Sequence, residues 1–534
     1  MNRQRLLVAS SLTAIAAGVA VAGCGSRPAF WNVDVSGTTA VGLANGVALV
    51  DDADHQVVVL TAKPGTPPDL TQTAYPVGHN VASAQASADG STVFVLSMGD
   101  LSTNNGQPSA AQPPSLTTIQ IDSALTITSN QYKMMEACQS LAVDPEGQFA
   151  VAYQQVGFVE NENELIIFDL TGAHPPMTHT LQSFGGTPQQ LTFTPPLLVN
   201  PALGVPAGDR RLLIVQTQID ISLLDLDHVF DTPQRPEITI PLTTSTTGQQ
   251  ITPAGVAVDG FNSMSSSDAQ FALRTSTSDV FTFTFGPPDP TDANDFKPIP
   301  NETPVGGIPT DMAFVHDEQG NVGLAVLVPS QSTAVLVQPA TSTTTSVALP
   351  SPYSNLSLVT SSVSTTSNGD VALLWNGGTA SGVALWTVGE PYFSVDVTGV
   401  SAPIETVLDV PNSNFKVLEP SDGSGFFVLD LGSGRVTPLS TTSAATLSIS
   451  SDGQRLWAFS QGGTDLACID LDSFSPIDLT TAAPIDSVYD IGGSGMSRDL
   501  VSLDTQGTIG ATVFDALDPQ APPRRIPALL LGMP

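Results

Sequence analysis

The chain has 534 residues, with 16 Lys+Arg against 50 Asp+Glu, a formal charge of −34 and only 3 Cys. That balance excludes a generic nucleic-acid binder, which needs clustered Lys and Arg against phosphate, and the cysteine count excludes a disulfide-stapled scaffold. The 41% hydrophobic content supports a sizeable core, while charged residues at 12% fall to about half the usual share, so Ser, Thr, Gln and Asn must form much of the surface.

The first 23 residues read as a secretory signal: Arg3 and Arg5, an apolar run from Leu6 to Ala22, and small residues Val21-Ala22-Gly23 just before Cys24. That ending resembles the lipobox of bacterial lipoproteins. The resemblance implies cleavage before Cys24 and acylation of its thiol, with an ordinary secreted or singly anchored protein as the alternative. Gly25, rather than Asp, is similar to the outer-membrane sorting pattern of Gram-negative lipoproteins, which implies a cell-envelope location. The expected organisation is a signal peptide over 1–23, a lipidated Cys24 with a short tether over 24–30, and a folded domain over 31–534. Six residues separate Cys24 from Trp31 and reach about 20 Å at full extension, so the folded body is expected close to the membrane. No other stretch is long and apolar enough to span a bilayer.

From Trp31 onward the chain reads as strands. Trp31-Asn32-Val33-Asp34-Val35 is expected to close a ring by pairing near Ile526 to Leu531. Between them one unit recurs: a strand of small residues, a tight turn, a more apolar strand, a second turn, and a third strand often ending in Asp. Clear copies are ASAQAS, Ala88-Asp89-Gly90, STVFVLS; then SLAVD, Pro145-Glu146-Gly147, QFAVAY, ELIIFDL; and TLSIS, Ser451-Asp452-Gly453, RLWAFS, LACIDL, SPIDL. Asp caps the local backbone in such turns and Gly accepts the positive φ. First turns fall near 46, 90, 147, 209, 268, 320, 369, 413, 453 and 495, a mean period of about 50 with four short strands per unit, as in propeller blades. The units near 209 and 268 are the least regular, with Pro-rich loops expected over Pro195–Asp209 and Gly286–Pro304.

The expected fold is therefore all-β, a single β-propeller of eight to ten four-stranded blades, with two packed smaller propellers as the alternative. The pairs Ser451-Asp452-Gly453 with Ile469-Asp470 and Pro145-Glu146-Gly147 with Phe168-Asp169, and more loosely Ala88-Asp89-Gly90 and Leu224-Asp225, resemble the YVTN-type family of β-propeller repeats. This resemblance implies a fold and no activity.

Linear motifs for chemistry are sparse. Gly492-Gly493-Ser494-Gly495-Met496 lacks the final Gly of a nucleophile elbow and lies in a blade turn. None of the six His forms a His-Glu-x-x-His helix, and His174 and His179 read as parts of a solvated loop. Calcium takes oxygen ligands, so the candidates for it are Asp51, Asp52 and Asp54, Glu160, Glu162 and Glu164, and the run Asp289, Asp292, Asp295; none has calcium-loop spacing, and solvated turns are the plainer reading. No cofactor is expected. Trp31, Trp375, Trp386 and Trp457 fall in or beside strands and read as blade packing. Cys138 and Cys468 lie six units apart, too far for a disulfide in a ring, and are expected as buried thiols.

These features favour a membrane-anchored, non-enzymatic binding scaffold whose partner is an envelope protein or a surface polymer. The alternative is a hydrolase, as the similarity of YVTN-like repeats to lactonases implies, with a site at the channel mouth drawn from several blades. The acidity also resembles salt adaptation, which predicts that stability rises with added salt.

Overall fold

The computed structural model describes residues 32–532 apart from 35–38, 64, 66, 101–110, 155–162, 184–185, 201–207, 233–236, 243–250, 260–268, 287–295, 317–320, 359–369, 377–381, 389–392, 398–399, 401–402, 422–424, 440–445, 451, 493–497 and 505–508. Cys24, Glu160, Glu162, Asp289, Asp292, Asp295 and Ser494 lie outside the described residues. Among those described there is no α-helix, only a single 3-10 turn at Pro329–Gln331, and no helix long and apolar enough to cross a membrane.

The apolar runs become the second and third strands of four-stranded antiparallel sheets. In blade 2 the second strand Thr92–Ser97 is almost wholly buried, while the outer strand Ile127–Lys133 is mostly exposed. Burial on both faces of the middle strands requires a sheet on either side, and ten such sheets supply it. They are blade 1 (39–76), blade 2 (81–133), blade 3 (140–180), blade 4 (190–241), blade 5 (253–304), blade 6 (311–348), blade 7 (355–396), blade 8 (404–439), blade 9 (446–480) and blade 10 (487–526). The predicted first turns near 46, 90, 147, 209, 413 and 453 fall at the connection between the first and second strands of one blade, and those near 268, 320, 369 and 495 lie outside the described residues.

Ten apolar clusters join the blades in sequence. Nine link each blade to the next. The tenth brings Val47, Leu49, Val58 and Leu60 of blade 1 against Val501, Leu503, Ala511 and Val513 of blade 10. The architecture is thus one closed ten-bladed propeller, at the top of the expected range, and the reading as two smaller propellers is set aside because no cluster closes a smaller ring. Fully buried side chains of this kind contribute about 1.5–3 kcal/mol each, so closure rests on apolar packing. The first strands of blades 1 and 2, 2 and 3, 5 and 6, 6 and 7, 9 and 10, and 10 and 1 touch around the axis. Polar links join them: Tyr489 Oη donates to the Ala40 carbonyl at 3.2 Å, and Asp311 accepts the Leu356 N–H at 2.7 Å. A Cβ on Gly42 would lie 2.7 Å from the Tyr489 ring, so the blade 10 to blade 1 contact needs glycine there.

Asn32–Asp34 forms a strand and pairs antiparallel with Leu530–Gly532, at the end of the expected segment, though in a separate two-stranded sheet past blade 10 rather than in that blade. Blade 10 has its own outer strand, Arg524–Ile526, and the terminal pair stays outside that sheet. The irregular units also differ from expectation. Blade 4 carries a small ribbon, Leu197–Leu198 paired with Asp209–Arg210, between its first two strands. Lys297–Pro304, expected as loop, is the outer strand of blade 5, paired over its whole length with Asp279–Gly286. Pro298, Pro300 and Pro304 share one parity, so their nitrogens face the same way, and an edge strand tolerates proline where that side is free.

The Asp that ends the third strand has a structural cause: its carboxylate caps the next turn. Asp122 accepts the N–H groups of Ala124 and Thr126, both at 2.8 Å; Asp470 accepts those of Asp472 and Ser473 at 3.1 and 2.8 Å. First turns are capped likewise, with Asp144 accepting from Glu146 and Gln148 at 3.1 Å. Much of the acidity near the strands is therefore a backbone-capping device.

Cys138 and Cys468 are free and buried in different interblade clusters. Burial pushes their thiols up to about 12 and about 11. A thiol reagent without reductant is expected to label neither in the folded domain and both after denaturation; labelling of either under native conditions would contradict the packing.

Candidate functional site

Antiparallel strands in every blade send turns to two opposite faces. First-to-second and third-to-fourth turns share one, here the turn face; second-to-third loops and interblade connections share the other, the connection face. Two clefts open on the turn face. One, of about 280 Å³, lies at the first turn of blade 8, where Lys416 pairs with Asp409 beside Pro411, Asn412 and Phe415.

The other, of about 300 Å³, lies between blades 2 and 3. Side chains alternate along a strand, so Thr118 and Gln120 of the third strand of blade 2 share a face with Thr128 and Asn130 of its outer strand. Register sets Thr118 opposite Asn130 and Gln120 opposite Thr128. Phe94 and Tyr132 border this array, and Pro145-Glu146-Gly147 of blade 3 forms the facing wall with Leu170. Near the axis the same two blades meet through Leu96, Leu116, Ala150, Ile166 and Phe168. The outer strand of blade 3, Met177–Thr180, has four residues against seven in blade 2, and apolar packing gives way to open polar surface there.

Both acidic groups at this cleft are committed. Asp89 is held below the usual carboxylate range by a hydrogen bond from Ser87 at 2.6 Å and the Ser91 N–H at 3.0 Å. Glu146 lies 3.9 Å from Arg211 of blade 4. Arg211 also donates to Gln148, binds Asp227 at 2.6 Å and sits 5.1 Å over the Phe149 ring, so it fastens the turn that makes the wall. By contrast, the side chains of Thr118, Gln120, Thr128 and Asn130 hydrogen-bond to no other group among the described residues.

The calcium candidates that can be placed are turn groups. Asp51 is buried and accepts from Asp54 N and Gln56 Nε2, both at 3.2 Å; Asp52 accepts the Val81 N–H at 2.9 Å; Asp54 is exposed. Glu164 opens the third strand of blade 3 and accepts from Thr180 at 3.4 Å. Among the described residues no three His, Cys, Asp or Glu converge on a metal-sized site.

The histidines show what spacing could not. On the connection face the rings of His55 and His79 stack at 3.6 Å, and His79 Nδ1 lies 3.1 Å from Asp100. His174 does lie in a turn, bound to Asp169 at 2.8 Å. His179 does not: it is in the outer strand of blade 3, and its Nε2 meets Glu237 of the next blade at 3.0 Å with side-chain exposures of 9% and 0%. The solvated-loop reading fails for His179 because blade 4 packs over it. Trp386 and Trp457 are fully buried, as expected for blade packing.

Carboxyls divide into two sets. Burial of Asp169, Asp452 and Asp470 is outweighed by hydrogen bonds to the ionised form, so all three sit below the ordinary range. Burial, then Asp515 and Asp490, pushes Asp499 up to about 6; burial also raises Asp311 and Asp490. The depressed set stabilises the fold above its unfolded pKa and loses that contribution as pH falls through the folded value. The raised set stabilises below its unfolded pKa and loses that as pH rises, for Asp499 through about 6. Melting temperature is therefore expected to peak near pH 4 and to fall toward pH 6, and a curve rising steadily to pH 8 would contradict the assignment.

No family model matches this chain, and no curated protein matches it. Among solved structures, the dihydro-heme d1 dehydrogenase NirN in complex with DHE is 12% identical, with 83% of this chain and 74% of that one covered at a TM-score of 0.40. A putative 6-phosphogluconolactonase from Bacteroides fragilis is 14% identical, covering 66% and 94% at 0.36. A eukaryotic initiation factor is 11% identical, covering 77% and 90% at 0.40. At such superpositions no activity carries over to this chain.

Proposed function

We propose that this chain is a cell-envelope lipoprotein, acylated at Cys24 and held in the outer membrane, that serves as a binding scaffold for an envelope protein or a surface polymer. One observation supports the reading: the terminal ribbon joins the body at the connection face, while the clefts open on the turn face. Asn32–Asp34 pairs with Leu530–Gly532 beside the outer strand of blade 1. Leu529, just before, donates to the Ile509 carbonyl in a second-to-third loop, so the end of the pair where Leu530 meets Asp34 lies at the connection face. A lipid on Cys24 would hold that face toward the bilayer and present the turn face outward. Excess negative charge suits this arrangement, since the body would be repelled by anionic lipid and held only by its acyl chains.

Palmitate labelling and membrane fractionation of the full chain and its Cys24→Ser variant test the anchor. The wild type is expected to carry label and sediment with membranes, and the variant to lose both. Retention of the variant in membranes would overturn it. Single cysteines placed at Ala53 and at Asn412, labelled with a fluorophore in vesicles, test the orientation: lipid-borne quenchers should reach position 53 more strongly than 412.

A further inference from the structure

We infer that the cleft between blades 2 and 3 is a binding site for a neutral, polyhydroxylated ligand of the saccharide class. The inference refines the partner side of the reading above and rests on it only for which face is presented; the cleft's chemistry stands on its own.

The argument is one of elimination followed by fit. An anion is disfavoured because Asp89 and Glu146 border the site, no Lys or Arg lines it, and Arg211 behind the wall is engaged by Glu146, Gln148 and Asp227. A metal ion is disfavoured because both carboxylates already have partners and no third converges on them. What remains for a ligand is a two-by-two array of hydroxyl and amide groups, Thr118 and Gln120 against Asn130 and Thr128, spaced by strand geometry. Directly opposed residues lie about 5 Å apart and successive same-face residues about 7 Å apart, a spacing that fits the hydroxyls of adjacent sugar units. Each amide offers both donors and an acceptor, which suits hydroxyls that act as both. Pro145 and the half-buried Tyr132 add apolar surface for the less polar face of a sugar ring. The turns bounding the site are pinned by Asp89, Asp144 and Arg211, so little ordering is left for binding to accomplish.

The test is saturation-transfer NMR on the full chain in a detergent without a sugar headgroup. The probes are maltohexaose, cellohexaose and chitohexaose, with hexagalacturonate as the acidic control. At least one neutral probe is expected to receive saturation, and the acidic one not. Gln120→Ala with Asn130→Ala should weaken that binding by roughly tenfold or more; both residues are exposed, so folding should survive. Thr118→Val, which keeps the volume, should weaken it less, and Asn412→Ala at the other cleft should leave it unchanged. No transfer to any neutral probe at millimolar concentration would overturn the inference, as would binding that the double variant leaves intact or a preference for the acidic probe. None of these outcomes touches the acylation of Cys24, whose own test uses labelling and fractionation.

Discussion

Gly453→Ala is expected to destabilise the propeller by about 3 kcal/mol, while Gly147→Ala costs about 1 kcal/mol, although both glycines hold the same turn position. Both have φ of +71°, so alanine meets the same left-handed penalty at each. The difference lies outside the turn. Nothing stands within 4 Å of a Cβ on Gly147, whereas a Cβ on Gly453 would fall inside the contact radius of the Pro411 carbonyl in blade 8. That obstacle is backbone and cannot rotate away, so two blades must separate. Equal losses in urea unfolding of the two variants would show that blades 8 and 9 do not meet there.

His179→Ala should cost about 1.5–3 kcal/mol, because it removes one hydrogen-bond partner of a buried carboxylate. Glu237 is fully buried, yet hydrogen bonds from His179, Ser222 and the Gln182 N–H hold it below the ordinary range against the opposing effect of burial. The Gln182 N–H at 2.8 Å and Thr239 at 3.2 Å would remain as partners. Replacing both members of the pair, as His179→Leu with Glu237→Met, should recover most of the loss, since no charge is then buried without a partner. A loss below about 1 kcal/mol for the single variant would mean that blade 4 does not cover the outer strand of blade 3.

The repeat was legible because each blade is a local hairpin series whose turn chemistry and strand burial are written in adjacent residues. Ser-Asp-Gly turns, apolar middle strands and the terminal Asp are short-range devices, and the first turns near 90, 147, 413 and 453 fall where the sequence placed them. The outer strand of blade 5 escaped notice because its prolines argue against a strand, and only its place at the edge removes that objection. The cleft was hidden for a different reason. Thr118, Gln120, Thr128 and Asn130 read as ordinary surface residues, and their isolation as an unpartnered array depends on a shorter neighbouring blade.

The sequence by itself determined the blade, its strand order, its turns and its buried thiols, because contacts a few residues apart specify them. Only the tertiary structure decided that ten blades close one ring, that His179 meets Glu237, and that Thr118, Gln120, Thr128 and Asn130 line one cleft with the first turn of blade 3. Those outcomes turn on packing between segments tens to hundreds of residues apart, where the number of blades follows from the angle at which each sheet rests on the next, a quantity no single repeat encodes.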